Sequence, residues 1–347
     1  AQTDVDCNGS ATGSVTVDGS GSTAPYLYDI GGAQQGTGVF AGLIAGAYTV
    51  TVEDANGCIT TVGLTINEPV ALTAAITLQT DVDCNGAATG SVTVVAANGT
   101  SGYLYDIGGA QQATGAFTGL TAAAYTVTVE DANGCITTVP VTIIEPAVLV
   151  GSLDAQTAVL CNGGADGTAT VTASGGTAGY LFDIGGAQQG TGVFAGLTAG
   201  AYTVTIEDAN GCITTVPVTI IEPAVLTSSI VSTTDATCGQ ANGALDVLGV
   251  DGTVAYQYSD DNGVTFQGTG VFTGLLAGSY DILIEDANGC QTTVTVGIND
   301  LSGLVASITT QTDVDCNGNA TGSVTVDGSG STAPYLYDIG GAQQATG

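Results

Sequence analysis

The chain has 347 residues, of which 32 are aspartate or glutamate and none is lysine, arginine or histidine. Its side chains cannot form a salt bridge, and nucleic acid is excluded as a partner because phosphate binding depends on lysine and arginine. Attraction to anionic lipid fails for the same reason, and no run of 18 apolar residues could form a transmembrane helix, so we expect no direct membrane insertion by these residues.

The elements predicted along the first part of the chain are β-strands. Apolar and polar residues alternate in short runs, which is the pattern of a strand with one buried face. The predicted strands are 15–17, 26–30, a stretch around Phe40, 48–52 and 62–66. Gly31-Gly32 and Asn56-Gly57 are signatures of two-residue hairpin turns. Helical periodicity is missing, and Gly, Thr and Val dominate the composition.

Nine cysteines recur at a fixed rhythm. The intervals between neighbours alternate between 51 or 52 residues and 26 residues, so the sequence has a period of 77 or 78 residues. The cysteines are Cys7, Cys58, Cys84, Cys135, Cys161, Cys212, Cys238, Cys290 and Cys316. The motif Asp-Val-Asp-Cys-Asn-Gly surrounds Cys7 and recurs at Cys84 and Cys316, whereas Glu-Asp-Ala-Asn-Gly-Cys ends at Cys58 and at its three counterparts. Such self-similarity predicts a tandem array.

A Glu-Pro dipeptide marks the predicted boundary between units, because proline cannot continue a strand ladder and stiffens the joint. The predicted units are 1–68, which lacks its first strand, 69–145, 146–222, 223–300 and a partial unit 301–347. The sequence starts and stops inside a unit, so we expect it to be a window from a longer array. We predict an all-β fold, a tandem array of immunoglobulin- or fibronectin III-like β-sandwich repeats of about 77 residues, each advancing a rod by roughly 30 to 45 Å.

Regular cysteine pairs predict disulfides and an oxidising, extracellular location. Pairing within units is favoured because it closes a compact loop. It would join Cys7 to Cys58, Cys84 to Cys135, Cys161 to Cys212 and Cys238 to Cys290, and would leave Cys316 unpaired. This pairing requires an even number of strands between the two cysteines. If 33–36 forms a fifth strand, the cysteines lie a strand-length apart, and pairing would run between adjacent units, as from Cys7 to Cys135.

The Asp-x-Asp-x-Asn-Gly segment copies the opening of an EF-hand loop, in which alternating oxygens bind Ca²⁺. The candidate ligands are Asp4, Asp6, Asn8, Asp81, Asp83, Asn85, Asp313, Asp315 and Asn317. The match is incomplete, because Val15 stands where the loop would need glutamate and the third unit has Ala158 and Leu160 in place of the aspartates. A structural turn is the favoured interpretation, with weak Ca²⁺ binding as the alternative and no other cofactor expected.

Two further recurring side chains are predicted to be structural. Asp54 precedes the Asn56-Gly57 turn and is expected to accept hydrogen bonds from backbone amides there. Tyr48 and its counterparts start a strand, where a tyrosine corner would bond the hydroxyl to nearby backbone, and Tyr26 and Tyr28 are expected in the core. No nucleophile and base can be assembled except from carboxylates, so we do not expect an enzyme.

The order of these motifs resembles the SprB-type repeat. The resemblance covers essentially the whole sequence, and its first instance comprises 7–9, 26–28 and 43–58, closed by Glu-Pro. The segment 29–35 departs from the pattern, since the family often has Trp-Ser-Asn-Gly there and only 259–263 approaches it. SprB repeats belong to giant surface adhesins of gliding Bacteroidetes. The resemblance implies export by the type IX secretion system and display as filaments moved by the gliding machinery.

We therefore expect the structural stalk of an extracellular, cell-surface adhesin filament that supports adhesion and gliding motility. The alternatives are a glycan- or Ca²⁺-binding repeat module and a protective sheath or lattice subunit. The expected partners are neighbouring repeats of the same chain, together with like filaments or surface polysaccharide.

Overall fold

The computed structural model describes residues 1–301, 303–331 and 333–345, and in this part of the chain all regular elements are β-strands. The first unit contains β1 (Gln2–Thr3), β2 (Gly13–Thr16), β3 (Leu27–Asp29), β4 (Val39–Leu43), β5 (Gly46–Glu53) and β6 (Ile59–Ile66). The second contains β7 (Thr73–Thr80), β8 (Gly90–Ala97), β9 (Leu104–Asp106), β10 (Ala116–Leu120), β11 (Ala123–Glu130) and β12 (Ile136–Ile143).

The remaining units repeat this series of strands. The third contains β13 (Val150–Thr157), β14 (Gly167–Ser174), β15 (Leu181–Asp183), β16 (Val193–Leu197), β17 (Gly200–Glu207) and β18 (Ile213–Ile220). The fourth contains β19 (Thr227–Thr234), β20 (Gly243–Val250), β21 (Gln257–Ser259), β22 (Val271–Leu275), β23 (Gly278–Glu285) and β24 (Gln291–Ile298). The fifth contains β25 (Val305–Thr312) and β26 (Ser323–Ser329).

Each of the first four units is a sandwich of two three-stranded antiparallel sheets. In the second unit, one sheet has the order β7-β8-β10 and the other β9-β11-β12, and the other complete units have the corresponding orders. In the fifth unit, β25 pairs with β26 in a two-stranded ladder. The prediction of an all-β array of sandwich repeats is therefore confirmed.

Each complete unit has its own core between its two sheets. The core consists of the inward-facing residues of the alternating runs, with Val50, Val127, Val204 and Ile282 fully buried at the same position of successive units. Tyr28 and its counterparts are buried, and Tyr26 is half-buried against the core of its unit. The predicted core role of this tyrosine pair is confirmed.

A close approach of two strands requires a glycine that the sequence pattern does not reveal. A Cβ atom on Gly115 would lie 1.9 Å from the carbonyl oxygen of Val94. The corresponding distances at Gly192 and Gly270 are 1.9 and 1.7 Å. Any side chain here would force the backbone apart.

A search of the described residues for a membrane-crossing helix, one both long and apolar enough, finds none.

Candidate functional site at the joints between units

The two cysteines of a unit lie at opposite ends of its sandwich. Between Cys7 and Cys58 the chain crosses the unit five times, along β2, β3, a segment at Gln35, β4 and β5. Gln35 forms an antiparallel bridge with Tyr28. The crossing at Gln35 is required by the strand directions. Strands β2 and β4 pair antiparallel, as do β3 and β5, so the chain must cross the unit once more between β3 and β4. An odd number of crossings separates Cys7 from Cys58 by the length of a strand.

The disulfides join consecutive units. Cys7 bonds to Cys135, Cys84 to Cys212 and Cys161 to Cys290, with Cα–Cα distances of 5.5, 5.6 and 5.6 Å. The favoured pairing within units, which would join Cys7 to Cys58, Cys84 to Cys135, Cys161 to Cys212 and Cys238 to Cys290, is wrong because of the crossing at Gln35. The alternative between adjacent units is confirmed. Cys58, Cys238 and Cys316 are exposed free thiols.

The disulfide is one of three connections at each of the first three joints. At the first joint, the Asn133 side-chain amide of the second unit donates to the carbonyl oxygen of Asp6 in the first, at 3.1 Å. The Asn8 side-chain amide donates to the Pro69 carbonyl oxygen at 3.1 Å, and the Gly9 N–H donates to a Glu68 carboxylate oxygen at 2.7 Å. The Glu-Pro dipeptide is therefore hydrogen-bonded to the cysteine loop that carries the disulfide.

The next two joints repeat these contacts. Asn210 donates to Asp83 at 3.0 Å and Asn288 donates to Leu160 at 2.9 Å, in each case from the side-chain amide to a carbonyl oxygen. The boundary glutamate accepts the N–H of Gly86 at 2.6 Å and of Gly163 at 2.7 Å. The fourth joint has Asp300 in place of Glu-Pro, and its carboxylate accepts the Gly239 N–H at 3.3 Å.

A buried aspartate in each of the first four units fixes the turn that carries the second cysteine. Asp131 is 4% exposed, and one of its carboxylate oxygens accepts the N–H groups of Asn133 and Cys135, each at 2.9 Å. Its other oxygen accepts the Thr100 N–H at 2.8 Å. Burial raises the pKa of Asp131, but the three amides together outweigh burial and hold this pKa below its ordinary value. The predicted role of Asp54 is confirmed, since it accepts the N–H groups of Asn56 and Cys58.

The tyrosine corner is present in every complete unit. The Tyr48 hydroxyl donates to the Ile44 carbonyl oxygen at 3.0 Å, and Tyr125, Tyr202 and Tyr280 bond four residues back in the same way. The predicted tyrosine corner is therefore confirmed. Its hydrogen bond holds the tyrosine hydroxyl against the turn before β5 and its counterparts.

The candidate Ca²⁺ ligands lie in the cysteine loop and at its entry. Asp4 accepts hydrogen bonds from the backbone N–H of Asn67 at 2.9 Å and from the Gln2 side chain at 3.0 Å, which, with the Asn67 side chain, lower its pKa. Asp81 likewise accepts the Ile144 N–H at 3.1 Å. The Asn8 side-chain amide donates to the Pro69 carbonyl oxygen at the joint. Within the described ranges, the structure gathers no three His, Cys, Asp or Glu side chains into a group that could hold a metal ion. Weak Ca²⁺ binding stays a prediction.

Sequence reasoning missed two residues of the joint. The sequence pattern identifies the repeated glutamate before proline only as a boundary, but this glutamate also accepts a hydrogen bond from a backbone amide of the cysteine loop. The asparagine of the Asn-Gly turn is predicted only as a turn residue, but its side chain forms a hydrogen bond across the joint. The signal available was the recurrence of both side chains beside a cysteine.

Comparison with known protein families supports the repeat organisation of the chain. The profile of the family described as SprB repeat matches residues 1–34, 77–111, 154–188 and 308–343. Four places in the chain thus match the SprB repeat, which is consistent with a SprB-type repeat region. The four stretches fall at corresponding places in units one, two, three and five. With three disulfides between units, these repeats indicate an extracellular repeat module of the structural or adhesion kind. A search of curated protein sequences finds no match.

Several solved structures are similar to the chain at low identity. The human desmocollin-1 ectodomain is 15% identical, with 86% of this chain and 77% of that chain covered and a TM-score of 0.24. The S-layer protein rSbsC(31-844) is 16% identical, with 94% and 63% covered and a TM-score of 0.27. The three N-terminal domains of the bacteriophage RB49 outer capsid protein Hoc are 12% identical, with 67% and 100% covered and a TM-score of 0.31.

Proposed function

We propose that the chain is part of the stalk of a cell-surface adhesin filament that supports adhesion and gliding motility after export by the type IX secretion system. The SprB repeats support this proposal. The observation that carries it is the disulfide between each pair of consecutive complete units. A stalk transmits force between a cell and a surface, and a covalent connection at each joint resists both bending and separation of its units.

The chemistry of the chain supports a mechanical role. The recurring polar side chains of the joints accept or donate hydrogen bonds within the structure, as shown by Asn133, Glu68 and Asp131. The net charge of −32 disfavours collapse of the stalk onto like-charged segments. We propose that the chain acts in this way without catalysis.

Negative-stain electron microscopy of the 347-residue chain tests the stalk. The oxidised chain should form thin, straight rods with a spacing of roughly 30 to 45 Å per unit. A variant with Cys7→Ser, Cys84→Ser and Cys161→Ser should show rods that bend at the joints. Round particles or a two-dimensional lattice of the oxidised chain would contradict a stalk, and a lattice would favour the sheath.

The cellular part of the proposal needs a separate test. Antibodies raised against one unit should label the outside of intact producing cells, and deletion of the coding region should slow gliding over agar. Unlabelled cells that glide at the normal rate would contradict this part and would leave the rod measurement unaffected.

A further inference from the structure

Each of the first three joints contains an Asn-Gly pair whose asparagine makes a contact between units. The pairs are Asn133-Gly134, Asn210-Gly211 and Asn288-Gly289. Among dipeptides that begin with asparagine, Asn-Gly deamidates fastest, because glycine has no side chain to hinder attack of its backbone nitrogen on the asparagine side chain. The reaction needs no enzyme, and water is its only co-reactant. A dipeptide with this intrinsic reactivity therefore completes each of these joints.

In the folded chain, hydrogen bonds hold both reacting groups of the pair at the second joint. The Gly211 N–H donates to the Asp208 carbonyl oxygen at 3.0 Å, which closes the turn. The Asn210 side-chain amide donates to the Asp83 carbonyl oxygen and to Thr177 Oγ1, at 3.0 Å each. Attack requires the glycine nitrogen to lose its proton and to meet the asparagine Cγ atom. These hydrogen bonds therefore have to be released before the pair can react.

The other two joints hold their pairs in the same way. Gly134 and Gly289 donate their N–H groups to the carbonyl oxygens of Asp131 and Asp286, at 2.9 and 3.0 Å. The buried carboxylates of the same aspartates accept the N–H of the asparagine, at 2.9 Å in each case. Each aspartate thus keeps the turn closed through its side chain and its backbone carbonyl. The rate of deamidation then depends on how often the turn opens.

Deamidation removes the donor that connects the two units. It replaces the two amide hydrogens of Asn210 with a carboxylate, which can only accept hydrogen bonds. The Thr177 hydroxyl can still donate to this carboxylate, whereas the Asp83 carbonyl oxygen has no hydrogen to offer. Two oxygen atoms then face each other across the joint. The chain contains no lysine, arginine or histidine that could neutralise the added charge.

We propose that the Asn-Gly pair of each of these joints is a deamidation site that reacts when its turn opens, and that the product weakens the joint. A joint that load has opened is then changed permanently, because the reaction does not reverse when the load is removed. This chemistry belongs to the joints themselves and does not depend on the adhesin role.

The reaction has two steps. The Gly211 nitrogen forms a bond to Asn210 Cγ and gives up its proton, and the side-chain nitrogen leaves as ammonia, which produces a succinimide ring. Water then adds to one of the two ring carbonyls and breaks its bond to the ring nitrogen. One choice gives aspartate and the other gives isoaspartate. The net change converts an amide and a water molecule into a carboxylic acid and ammonia, and no oxidant or reductant is consumed.

The experiment follows deamidation site by site in the full 347-residue oxidised chain, by mass spectrometry of peptides after incubation in mildly alkaline buffer. Asp208→Ala removes the carboxylate that holds the turn, and should raise the rate at Asn210 about fivefold or more. The rates at Asn133 and Asn262 should not change. Asn262 also precedes a glycine, but it lies in an exposed turn of the fourth unit, outside the joints. An unchanged rate at Asn210, or an equal rise at all three asparagines, would overturn control of the reaction by the turn.

A measurement on the wild type tests the same point without any variant. Unfolding the chain in urea with reductant should raise the deamidation rates at Asn133, Asn210 and Asn288 about tenfold or more, because opening of the turns no longer limits the reaction. Equal rates at these sites in the folded and the unfolded chain would show that the turns give no protection and would overturn the proposal.

The variant Asn210→Asp carries the aspartate product and tests its effect on the joint. Tris(hydroxypropyl)phosphine, a neutral reductant that the added charge does not repel, should reduce the Cys84–Cys212 bond about threefold faster than in the wild type. The expected cause is the lost hydrogen bond, which loosens the joint around the disulfide. The matched control Asn262→Asp adds the same charge outside the joints and should leave this rate unchanged. Equal reduction rates in the two variants would overturn the weakening of the joint.

Discussion

At the scale of single residues, one aspartate in each unit determines the shape of the turn that presents a cysteine to its neighbour. Asp286 is buried and accepts the N–H groups of Asn288 and Cys290 at 2.9 Å and of Thr253 at 2.8 Å. Three amides depend on a single carboxylate. The cost of removing it should therefore exceed the cost of removing an ordinary surface charge.

We expect Asp286→Ala to lower the free energy of unfolding of the fourth unit by about 1 to 3 kcal/mol, because buried amides lose their acceptor. Urea unfolding followed by circular dichroism measures the loss, and hydrogen exchange locates it in this unit. The exposed Asp260 lies in the same unit, and Asp260→Ala should change stability by less than about 0.5 kcal/mol. Equal effects of the two substitutions would contradict the role of Asp286.

The contribution of Asp286 to the free energy of unfolding should depend on pH, and the sign of this dependence follows from its pKa. Burial raises the pKa of Asp286, but hydrogen bonds from the amides of Thr253, Cys290, Asn288 and Gly289 lower it by a larger amount. The pKa of Asp286 in the folded chain is therefore below its ordinary value. The unfolded chain takes up the proton at higher pH. The stabilisation is therefore complete above about pH 4 and is lost as the pH falls through the lowered pKa. The stability difference between the wild type and Asp286→Ala should shrink as the pH falls from 4 to 2.

At the scale of strands, the second and third units differ by a pair of volume changes, one on each of the two facing sheets. Gly151 of β13 faces Ile206 of β17, and a Cβ atom there would lie 2.4 Å from Ile206 Cδ1 and 2.5 Å from Val216 Cγ2. The second unit has Ala74 and Val129 at these two positions, both in its core. Between the second and third units, the larger residue on one sheet therefore accompanies the smaller one on the other.

We expect Gly151→Ala to destabilise the third unit by about 1 to 3 kcal/mol through overpacking. Ile206→Val alone should cost about 0.5 to 1.5 kcal/mol. The double variant should cost less than the sum of the two, because valine lacks the Cδ1 atom that the new methyl group meets. Urea unfolding of the four chains gives the coupling energy of this double-mutant cycle. Additive costs would show that the two positions are independent.

The strands could be predicted from the sequence, whereas the disulfide pairing could not be decided. Alternation of apolar residues is a local property and located β3, β5 and β6 to within a few residues. Pairing depends on the number of crossings between cysteines, and the deciding crossing is a single bridge, Tyr28 with Gln35, that has no alternating run of its own. The bonds of Asn133 and Glu68 were hidden for a similar reason, since their roles depend on how neighbouring units meet.

At the scale of the whole molecule, the disulfides form overlapping loops. The loop from Cys7 to Cys135 contains Cys84, and the loop from Cys84 to Cys212 contains Cys161. In the chain-entropy model, closing a loop with a sequence separation of 128 contributes about 5 kcal/mol relative to the open unfolded chain. The overlap also has a mechanical consequence, because force applied to the ends can pass from one disulfide to the next.

The shortest covalent path from Ala1 to Gly347 uses two of the disulfides. It consists of residues 1–7, 135–161 and 290–347, joined by the Cys7–Cys135 and Cys161–Cys290 bonds, and contains about 90 residues. In single-molecule force spectroscopy, the oxidised chain should therefore extend to no more than about 300 Å, even with its units unfolded. Added reductant should increase this limit to about 1,150 Å.

The measured length also distinguishes the possible pairings. Disulfides within units would leave a path of about 145 residues and a limit of about 480 Å. The variant Cys7→Ser with Cys161→Ser retains the central disulfide alone and should extend to about 720 Å, since its path includes 1–84 and 212–347. An oxidised wild-type chain that extends beyond about 300 Å would contradict the clamp between units, and a limit near about 480 Å would indicate pairing within units. Under load the observed pairing confines unfolded segments within the loops, so a unit that opens stays tethered to its neighbours and can refold in place.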